Sequence, residues 1–450
     1  MPGVVSSVVI VDPLSTGSLL ESRLFSRGLD VVLVWSSAVP QKLIDGHFAR
    51  VGRHRAEYRA VIEQREEQSG SDVARAVVEV LDGQSLAAVM VGSDWGVGLE
   101  HELTRALAAE HGFSHLRDSG LSEVALATNK FVQCEAVRSY CFDSVKQSVA
   151  RSEKDVVEFL SKASAGTAGD DLKAVVKPNR GGGSVGVTLC NSSAEVLAAF
   201  RQLREKNMEE YGNIDADETL LQECLIGPEY VVDTVSMDGE HKCVGVWKYE
   251  KRLFNGSPYV YYGGRMMGVD DEPEIRSMVD YVKGCLNAIG LKNGAVHSEV
   301  ILTSRGPILV ESNCRPAGFD GVWVPLAESC LGYSQISVVL DVYLDGGEIF
   351  ASLPSEPPSH ISKAAMYAFM RSAVEGTLKQ VSKDHMNRIQ ALESYQSHKM
   401  GVKEGGPISK TVDLTTVSGK VNLMNDDPAT LERDYAELNE IVDEGMFIVA

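Results

Sequence analysis

Acids and amides stand at alternating positions in two apolar runs, Val296-His297-Ser298-Glu299-Val300-Ile301-Leu302 and Ile308-Leu309-Val310-Glu311-Ser312-Asn313, joined by Thr303–Pro307. Two β-type runs around a turn rich in Ser, Gly and Pro predict a hairpin. With the turn centred on Arg305, Glu299 faces Glu311 and His297 faces Asn313. All four then share one sheet face, with opposite Cβ atoms about 5 Å apart. Carboxylates opposed in this way repel unless a cation lies between them. Two acids and an amide without a thiolate suit Mg²⁺, with Mn²⁺ as the alternative, because such an ion also keeps waters and phosphate oxygens. A hairpin whose polar face looks only at water would leave the pairing unexplained. Arg315, two residues further on, could clamp a carboxylate or a transferring phosphoryl group. Arg265, in the Gly-bearing stretch Tyr261-Tyr262-Gly263-Gly264-Arg265, is a second candidate of that kind, expected on a mobile loop. His297 is either a proton shuttle or a hydrogen-bonding support for a metal ligand.

A second constellation lies upstream. The apolar strand Ala174-Val175-Val176-Lys177-Pro178 must stop at its proline, and Asn179-Arg180-Gly181-Gly182-Gly183-Ser184-Val185-Gly186 follows at once. Four glycines in that stretch let backbone approach a ligand and swing, with N–H groups free for phosphate. The segment lacks a P-loop's ending and returns into a strand, Val185–Leu189, so a flexible hairpin turn is the competing reading. Lys177 immediately before it favours a nucleotide. In Leu220–Val232, two strands flank a connection that could meet an adenine edge, with Glu229 placed for ribose hydroxyls; a solvated turn is the alternative.

The elements that must carry these residues follow from pattern. Val8–Val11, Val31–Val34 and Leu86–Val91 read as buried strands, with helices at Ser18–Arg27, Asp72–Leu81 and Leu99–Glu110, so the first 115 residues form a small α/β unit. Its loop Asp12–Gly17 is a strand-to-helix turn or a substrate-contacting edge, not a dinucleotide fingerprint. Lys130 opens a helix over Phe131–Tyr140, and another spans Lys154–Ala163. Gly166–Asp171 reads as a surface loop. Strands dominate from Lys173 to about Leu344, apart from helices Ala194–Lys206 and Glu274–Ile289. Leu353–His360 is a linker before a final α+β segment. Division at 1–115, 116–345 and 346–450 follows, with a lid region at about 173–225.

Composition narrows the function classes. In 450 residues, 63 acids oppose 43 Lys and Arg, a formal charge of −20 that disfavours nucleic acid and anionic lipid. No apolar run reaches the roughly 18 residues of a membrane span, and no basic residue precedes Arg23, so a soluble cytoplasmic protein is expected. Eight scattered cysteines without a CxxC pair are expected to be reduced thiols.

In its order of motifs, the stretch from about 120 to 345 resembles the ATP-grasp superfamily of carboxylate–amine ligases: Lys130, Lys177, Gly181–Gly186, Gln222–Glu229, and Glu299 followed by Glu311-Ser312-Asn313. Within it, His297-Ser298-Glu299, Asn313–Gly318 and the opening Asp12–Gly17 look like the L-amino-acid ligases that form dipeptides. The resemblance implies mixed α/β and α+β architecture: an N-terminal parallel-sheet domain, a central nucleotide-binding domain with a mobile lid, and a C-terminal α+β domain. It implies ATP held by Lys130 and Lys177, with Gly182, Gly183 and Ser184 closing over the γ-phosphate. Gln222, Glu223, Cys224 and Leu225 would lie at adenine, although Gln222 stands where Glu is frequent, and Glu229 at ribose. Glu299, Glu311 and Asn313 would hold Mg²⁺. Arg315 would meet the phosphoryl group, and Phe319 with Gly318 would border an amino-acid pocket. The expected partners are small-molecule substrates, amino acids, and a homodimer is left open. The chemistry implied is phosphorylation of a carboxylate to an acyl phosphate and capture by an amine, with ADP and phosphate released. Competing classes are a ligase for a specialised metabolite and a catalytically silent nucleotide-binding regulator.

Overall fold

The computed structural model describes residues 6–164, 172–205, 218–356, 358 and 361–450. Its first sheet contains β1 (Ser7–Val11), β2 (Asp30–Trp35), β3 (Ala60–Glu63) and β4 (Leu86–Val91), all parallel, in the order β3-β2-β1-β4. Unbroken Val/Ile/Leu runs are what strands covered on both faces require. The helices Gly17–Ser26, Gly70–Leu81 and Val97–His111 lie close to their expected limits. β3 and the helix Gln41–Val51 were not predicted; Ala-Val-Ile-Glu is too short a run to stand out.

A second, antiparallel sheet holds β5 (Gln147–Ala150), β6 (Ala174–Pro178), β7 (Thr188–Cys190) and β8 (Thr219–Glu223) in the order β5-β8-β6-β7. β7 begins three residues later than expected, because Ser184 and Gly186 both take positive φ and keep the chain turning. The helices Lys130–Ser139, Glu153–Ser164 and Ser193–Glu205 surround it. The expected loop Gly166–Asp171 lies outside the described residues.

The large sheet is antiparallel and eight-stranded. Its strands β9 (Glu229–Met237), β10 (Glu240–Phe254), β11 (Ser257–Met266), β12 (Gly294–Thr303), β13 (Gly306–Asn313) and β14 (Ala364–Met370) run in the order β13-β12-β9-β10-β11-β14, then Gly419–Asn425 and Tyr395–Met400. Ala364–Met370, Gly419–Asn425 and Tyr395–Met400 therefore extend the same sheet that carries the hairpin, while Gly376–Val381 pairs in a separate small sheet with Pro407–Ile408 and Phe447–Val449. The expectation of strands up to Leu344 is corrected here: after Asn313 the chain forms the helices Val324–Leu331 and Gln335–Leu344. The run Ile336–Leu340 is apolar enough for a buried strand, and Ser334, accepting from the Ser337 backbone N–H, starts a helix instead. The expected linker Leu353–His360 is described only in part.

One apolar core joins these layers. Val8, Ile10 and Leu33 of the first sheet pack in the same cluster as Val231, Trp247 and Tyr261 of the large sheet, Phe319, and Phe369 of β14. Glycines let the first sheet close on itself at its carboxyl edge: a Cβ on Gly17 would lie 2.5 Å from the Gly92 carbonyl oxygen, and one on Gly92 2.5 Å from Pro13 Cα. Among the described residues no helix is long and apolar enough to cross a membrane, and the eight cysteines are unpaired.

Two acids in this first layer are buried without a cation. Asp12 accepts from Ser36 N at 2.8 Å and Ser36 Oγ at 2.5 Å, and Glu100 accepts from Thr104 Oγ1 at 3.1 Å. Burial pushes each carboxyl up to about 7. A carboxyl raised on folding contributes stability that is complete below its unfolded pKa and is lost as pH rises through the folded one. The melting temperature is therefore expected to fall by a few degrees between pH 6 and pH 9, and Glu100→Gln to flatten that slope; parallel slopes in a calorimetric pH series would refute the assignment.

Candidate active site

The hairpin brings the sequence-predicted acids together. Glu299 pairs with Glu311 and His297 with Asn313 across β12 and β13. The turn is tighter than expected: Thr303 pairs with Gly306, so the two-residue turn is Ser304-Arg305. Carried through unchanged, that register would set Glu299 opposite Val310. A β-bulge restores the predicted pairing, because Val300 faces Leu309 while Glu299 faces Glu311, leaving Val310 as the extra residue. The bulge thus aims Glu311. On the other sheet face, Ser312 is tied by its backbone to the Gln133 side chain and Ser298 Oγ lies 3.0 Å from Ser312 Oγ, which locks the register from behind.

The surrounding charges answer the two acids. Lys130 Nζ lies 2.8 Å from Glu311 Oε2, and Asn313 Nδ2 donates to Glu311 Oε1 at 3.0 Å. His297 Nδ1 sits 2.8 Å from Asp233 Oδ1, its Nε2 3.2 Å from the Tyr249 hydroxyl and 3.7 Å from Glu299 Oε1. Burial opposes a charged imidazole, but Asp233 outweighs it and lifts His297 to about 9. Burial likewise opposes the Glu299 charge, and His297 with Lys251 holds that carboxyl down to about 2. Glu299 is thus available as an oxygen ligand. Among the described residues no group of three or more His, Cys, Asp and Glu is arranged to hold a metal by itself. The donor set is two carboxylates and an amide, which fits Mg²⁺ drawing its remaining ligands from phosphate and water.

Beside the hairpin opens a cleft of about 850 Å³ lined by Lys130, Lys177, Gly181–Val185, Gln222–Leu225, Glu229, Glu299 and Glu311, among others. Lys177 is buried at the end of β6. Burial, then the charge of Lys130, draws its ammonium below the ordinary value. In the glycine loop, Gly182 has open space around it, whereas Gly183 and Ser184 adopt positive φ and Gly183 rests near Leu414. At the hinge, Gln222 is buried and donates to Gln147 Oε1 at 2.9 Å, while Glu223 accepts from Lys146 N at 3.0 Å and Arg305 at 2.6 Å. Both side chains are already committed, leaving the strand edge at Cys224 and Leu225 to face the cleft. Glu229 is paired with Lys251 at 2.7 Å, and against the pull of burial that carboxylate lifts the Lys251 ammonium well above its usual value.

At the far end of the hairpin, Arg315 donates to Asp94 Oδ2 at 2.9 Å and to Pro316 O at 3.1 Å. Asp94 lies in the loop after β4, at the carboxyl edge of the first parallel sheet, where ligands of open α/β sheets bind. Phe319, Asp320 and Gly321 all take positive φ. The turn is held by Thr16 Oγ1 donating to Gly318 O at 2.8 Å, Asp320 N donating to Ser15 Oγ at 2.9 Å, and Lys420 on Asp320. The Asp12–Gly17 loop thus clasps this turn. Phe319 is buried among Tyr249, Tyr261, Tyr367 and Phe369, with ring centroids 5.3–5.8 Å away.

Arg265 is not brought to this site. Its surroundings are the strand β11, not a mobile loop, because Gly263 and Gly264 admit the Tyr367 backbone and ring at distances a Cβ would block. Arg265 pairs across β10 with Lys248, which pairs with Tyr230 and so shares the face of Val300, opposite that of Glu299. There it meets Glu432 at 2.5 Å. Asp233, Tyr249, Lys251, Asp94 and the bulge at Val310 escaped the sequence reading. Asp94 alone had a local signal, its Gly-rich loop after a parallel strand.

Residues 171–322 match the family model described as the ATP-grasp domain. The chain carries an ATP-grasp domain. Along its length it is similar to dapdiamide A synthase of Enterobacter agglomerans, 26% identical over 438 residues, covering 96% of this chain and 95% of that one. In fold it is similar to an L-amino acid ligase from Bacillus licheniformis, with a TM-score of 0.71 at 15% identity and 99% of both chains covered. It also superposes on an N5-carboxyaminoimidazole ribonucleotide synthetase solved with ADP, at a TM-score of 0.65, 15% identity, and 99% and 100% coverage. The ATP-grasp fold expected from the motifs is borne out, and with it an ATP-dependent carboxylate–amine ligase. In such a ligase, a cleft combining ionised acids, lysines and a glycine-rich flap has the charge to bind a nucleotide and the cover to exclude water from a reactive acyl group.

Removing one partner of a buried pair leaves an uncompensated charge, at a cost of roughly 3 kcal/mol or more when dry and less beside a wet cleft. Glu229→Gln is expected to destabilise the chain by about 2 kcal/mol, and Glu229→Gln with Lys251→Met by less than the single change. Urea midpoints that fall further in the double variant would contradict the pairing.

Proposed function

We propose that this ligase activates the carboxylate of an amino-acid-like substrate as an acyl phosphate and joins it to the amine of a second amino acid. The observation that carries the reading is the pair Glu299 and Glu311, facing each other beside Asn313 at the edge of the glycine-flapped cleft. Glu299, Glu311 and Asn313 would hold one or two Mg²⁺ ions. When bound, the metal supplies positive charge at the transferring phosphoryl group. Lys130 would exchange Glu311 for phosphate oxygens, and Lys177 would bind them directly. Gly182, Gly183 and Ser184 would cover the γ-phosphate. Cys224 and Leu225 would meet adenine on the edge that Gln222 and Glu223 stiffen, and Glu229 would meet ribose while still held by Lys251.

Arg315 lies between the hairpin and the first sheet. Its planar guanidinium would steady the carboxylate during phosphorylation and then the oxyanion as the amine attacks. His297, charged and clamped between Asp233 and Tyr249, would orient Glu299 rather than accept the amine's proton. Gly318 and Phe319 would border the amino-acid pocket, with Phe319 limiting its depth from the aromatic cluster. The whole-length likeness to a dapdiamide A synthase and the fold of an L-amino acid ligase support this substrate class. A second reading, with a specialised metabolite as one substrate, is supported by the first of those likenesses alone.

A matrix of paired amino acids scored by ATP-dependent phosphate release, with mass analysis of products, tests the proposal. Release with at least one pair and a product lighter than the pair by one water is expected; hydrolysis without any condensed product would exclude amide formation. Glu311→Ala should abolish release while the melting temperature stays within a few degrees, and near-normal turnover would remove the metal assignment. Arg315→Lys should lose about 10²-fold or more in turnover, since an ammonium cannot make the planar double contact; full activity would place Arg315 outside the reaction.

A further inference from the structure

Most cations around the cleft already have an acid: Lys130 has Glu311, Lys251 has Glu229, and Arg315 has Asp94. Arg180 has none. It lines the cleft at the base of the glycine loop, half-buried, and its Nε is shielded from solvent without a hydrogen-bond partner. Among the described residues no carboxylate pairs with its guanidinium. A shielded N–H without an acceptor costs about 1–3 kcal/mol, more when the group is charged, so its position calls for a partner that arrives from outside the chain.

The residue before it is pinned. Asn179 is buried; its Oδ1 accepts from Phe131 N at 3.0 Å, its Nδ2 donates to Glu218 at 2.9 Å, and its carbonyl accepts from Lys130 N at 3.1 Å. Gly181, Gly182 and Gly183 follow it. Arg180 is therefore the junction between an anchored strand end and a swinging flap, the place from which a side chain can pull the flap toward a ligand. Charge matches as well. A nucleoside triphosphate carries about four negative charges and one Mg²⁺ cancels about two; among the described residues Lys177 and Arg180 are the lining cations without an acid within ion-pair distance.

We propose that Arg180 is the lid's phosphate contact: its guanidinium donates to oxygens of the terminal phosphates of ATP and couples their arrival to closure of the glycine loop. The inference rests on reading the cleft as the ATP site. A planar fork of donors suits phosphate oxygens in pairs, which a lysine at the same place would not reproduce.

Calorimetric titration of the 450-residue chain with Mg²⁺ and either AMP or the non-hydrolysable triphosphate AMP-PNP tests it. Arg180→Gln should weaken AMP-PNP at least tenfold and leave AMP within twofold, with Arg180→Lys in between. In the wild type, AMP-PNP but not AMP should protect the Arg180–Gly181 bond from trypsin. Triphosphate affinity unchanged in Arg180→Gln, equal losses for AMP and AMP-PNP, or equal protection by both nucleotides would each overturn the proposal. A wild-type chain that binds no AMP-PNP would overturn the ATP reading of the cleft along with it, whereas wild-type binding unchanged in Arg180→Gln would strike Arg180 alone.

Discussion

Two carboxylates of like charge facing each other across neighbouring strands make an arrangement that a sheet does not adopt for its own stability. Glu299 and Glu311 are held there by a bulge at Val310 and by the serine and glutamine contacts behind the hairpin. Lys130, Lys251 and His297 stand around the pair and partly cancel its field. Much of the cleft follows from that need for positive charge. Cations surround the acids, and the ones left without an acid are free for an anion brought in from solution.

The rest of the molecule serves to hold this constellation between layers that do not meet in sequence. The turn carrying Gly318 and Phe319 is gripped from the first sheet by Ser15 and Thr16 and from the carboxyl-terminal strands by Lys420. The same aromatic cluster takes Tyr249 and Tyr261 from the middle of the large sheet and Tyr367 and Phe369 from its later strand. A shared core of this kind makes the reach of Arg315 a property of three segments at once. The glycine loop, by contrast, is fastened at Asn179, at Gly181, whose carbonyl accepts from Lys130 Nζ, and at Gly183, and Gly182 between them stands in open space.

Legibility in the sequence followed the range of the interaction concerned. The hairpin face was readable because alternation along a strand is a local rule, and the pairing of Glu299 with Glu311 came out as expected even though the turn did not. The lysine before the glycines, the buried strands of the first sheet and most helices were readable for the same reason. Arg265 was misplaced because glycines in a strand look like a loop until the partner that needs their missing side chains, Tyr367, is known. The helices after Asn313 read as strand in the sequence because a short continuous apolar run has no period to distinguish the two.

Local pattern and residue chemistry in the chain determined the acidic hairpin and the glycine loop, while the order of the motifs, through its resemblance to the ATP-grasp superfamily, pointed to the fold and the class of reaction. Only the folded molecule decided which charges neutralise which. Asp233 on His297, Lys251 on Glu229 and Asp94 on Arg315 join residues from 22 to 221 positions apart, and Arg180 finds no acid among the described residues. Pairings of that range are set by how sheets stack and which faces meet, and no local spacing rule encodes them.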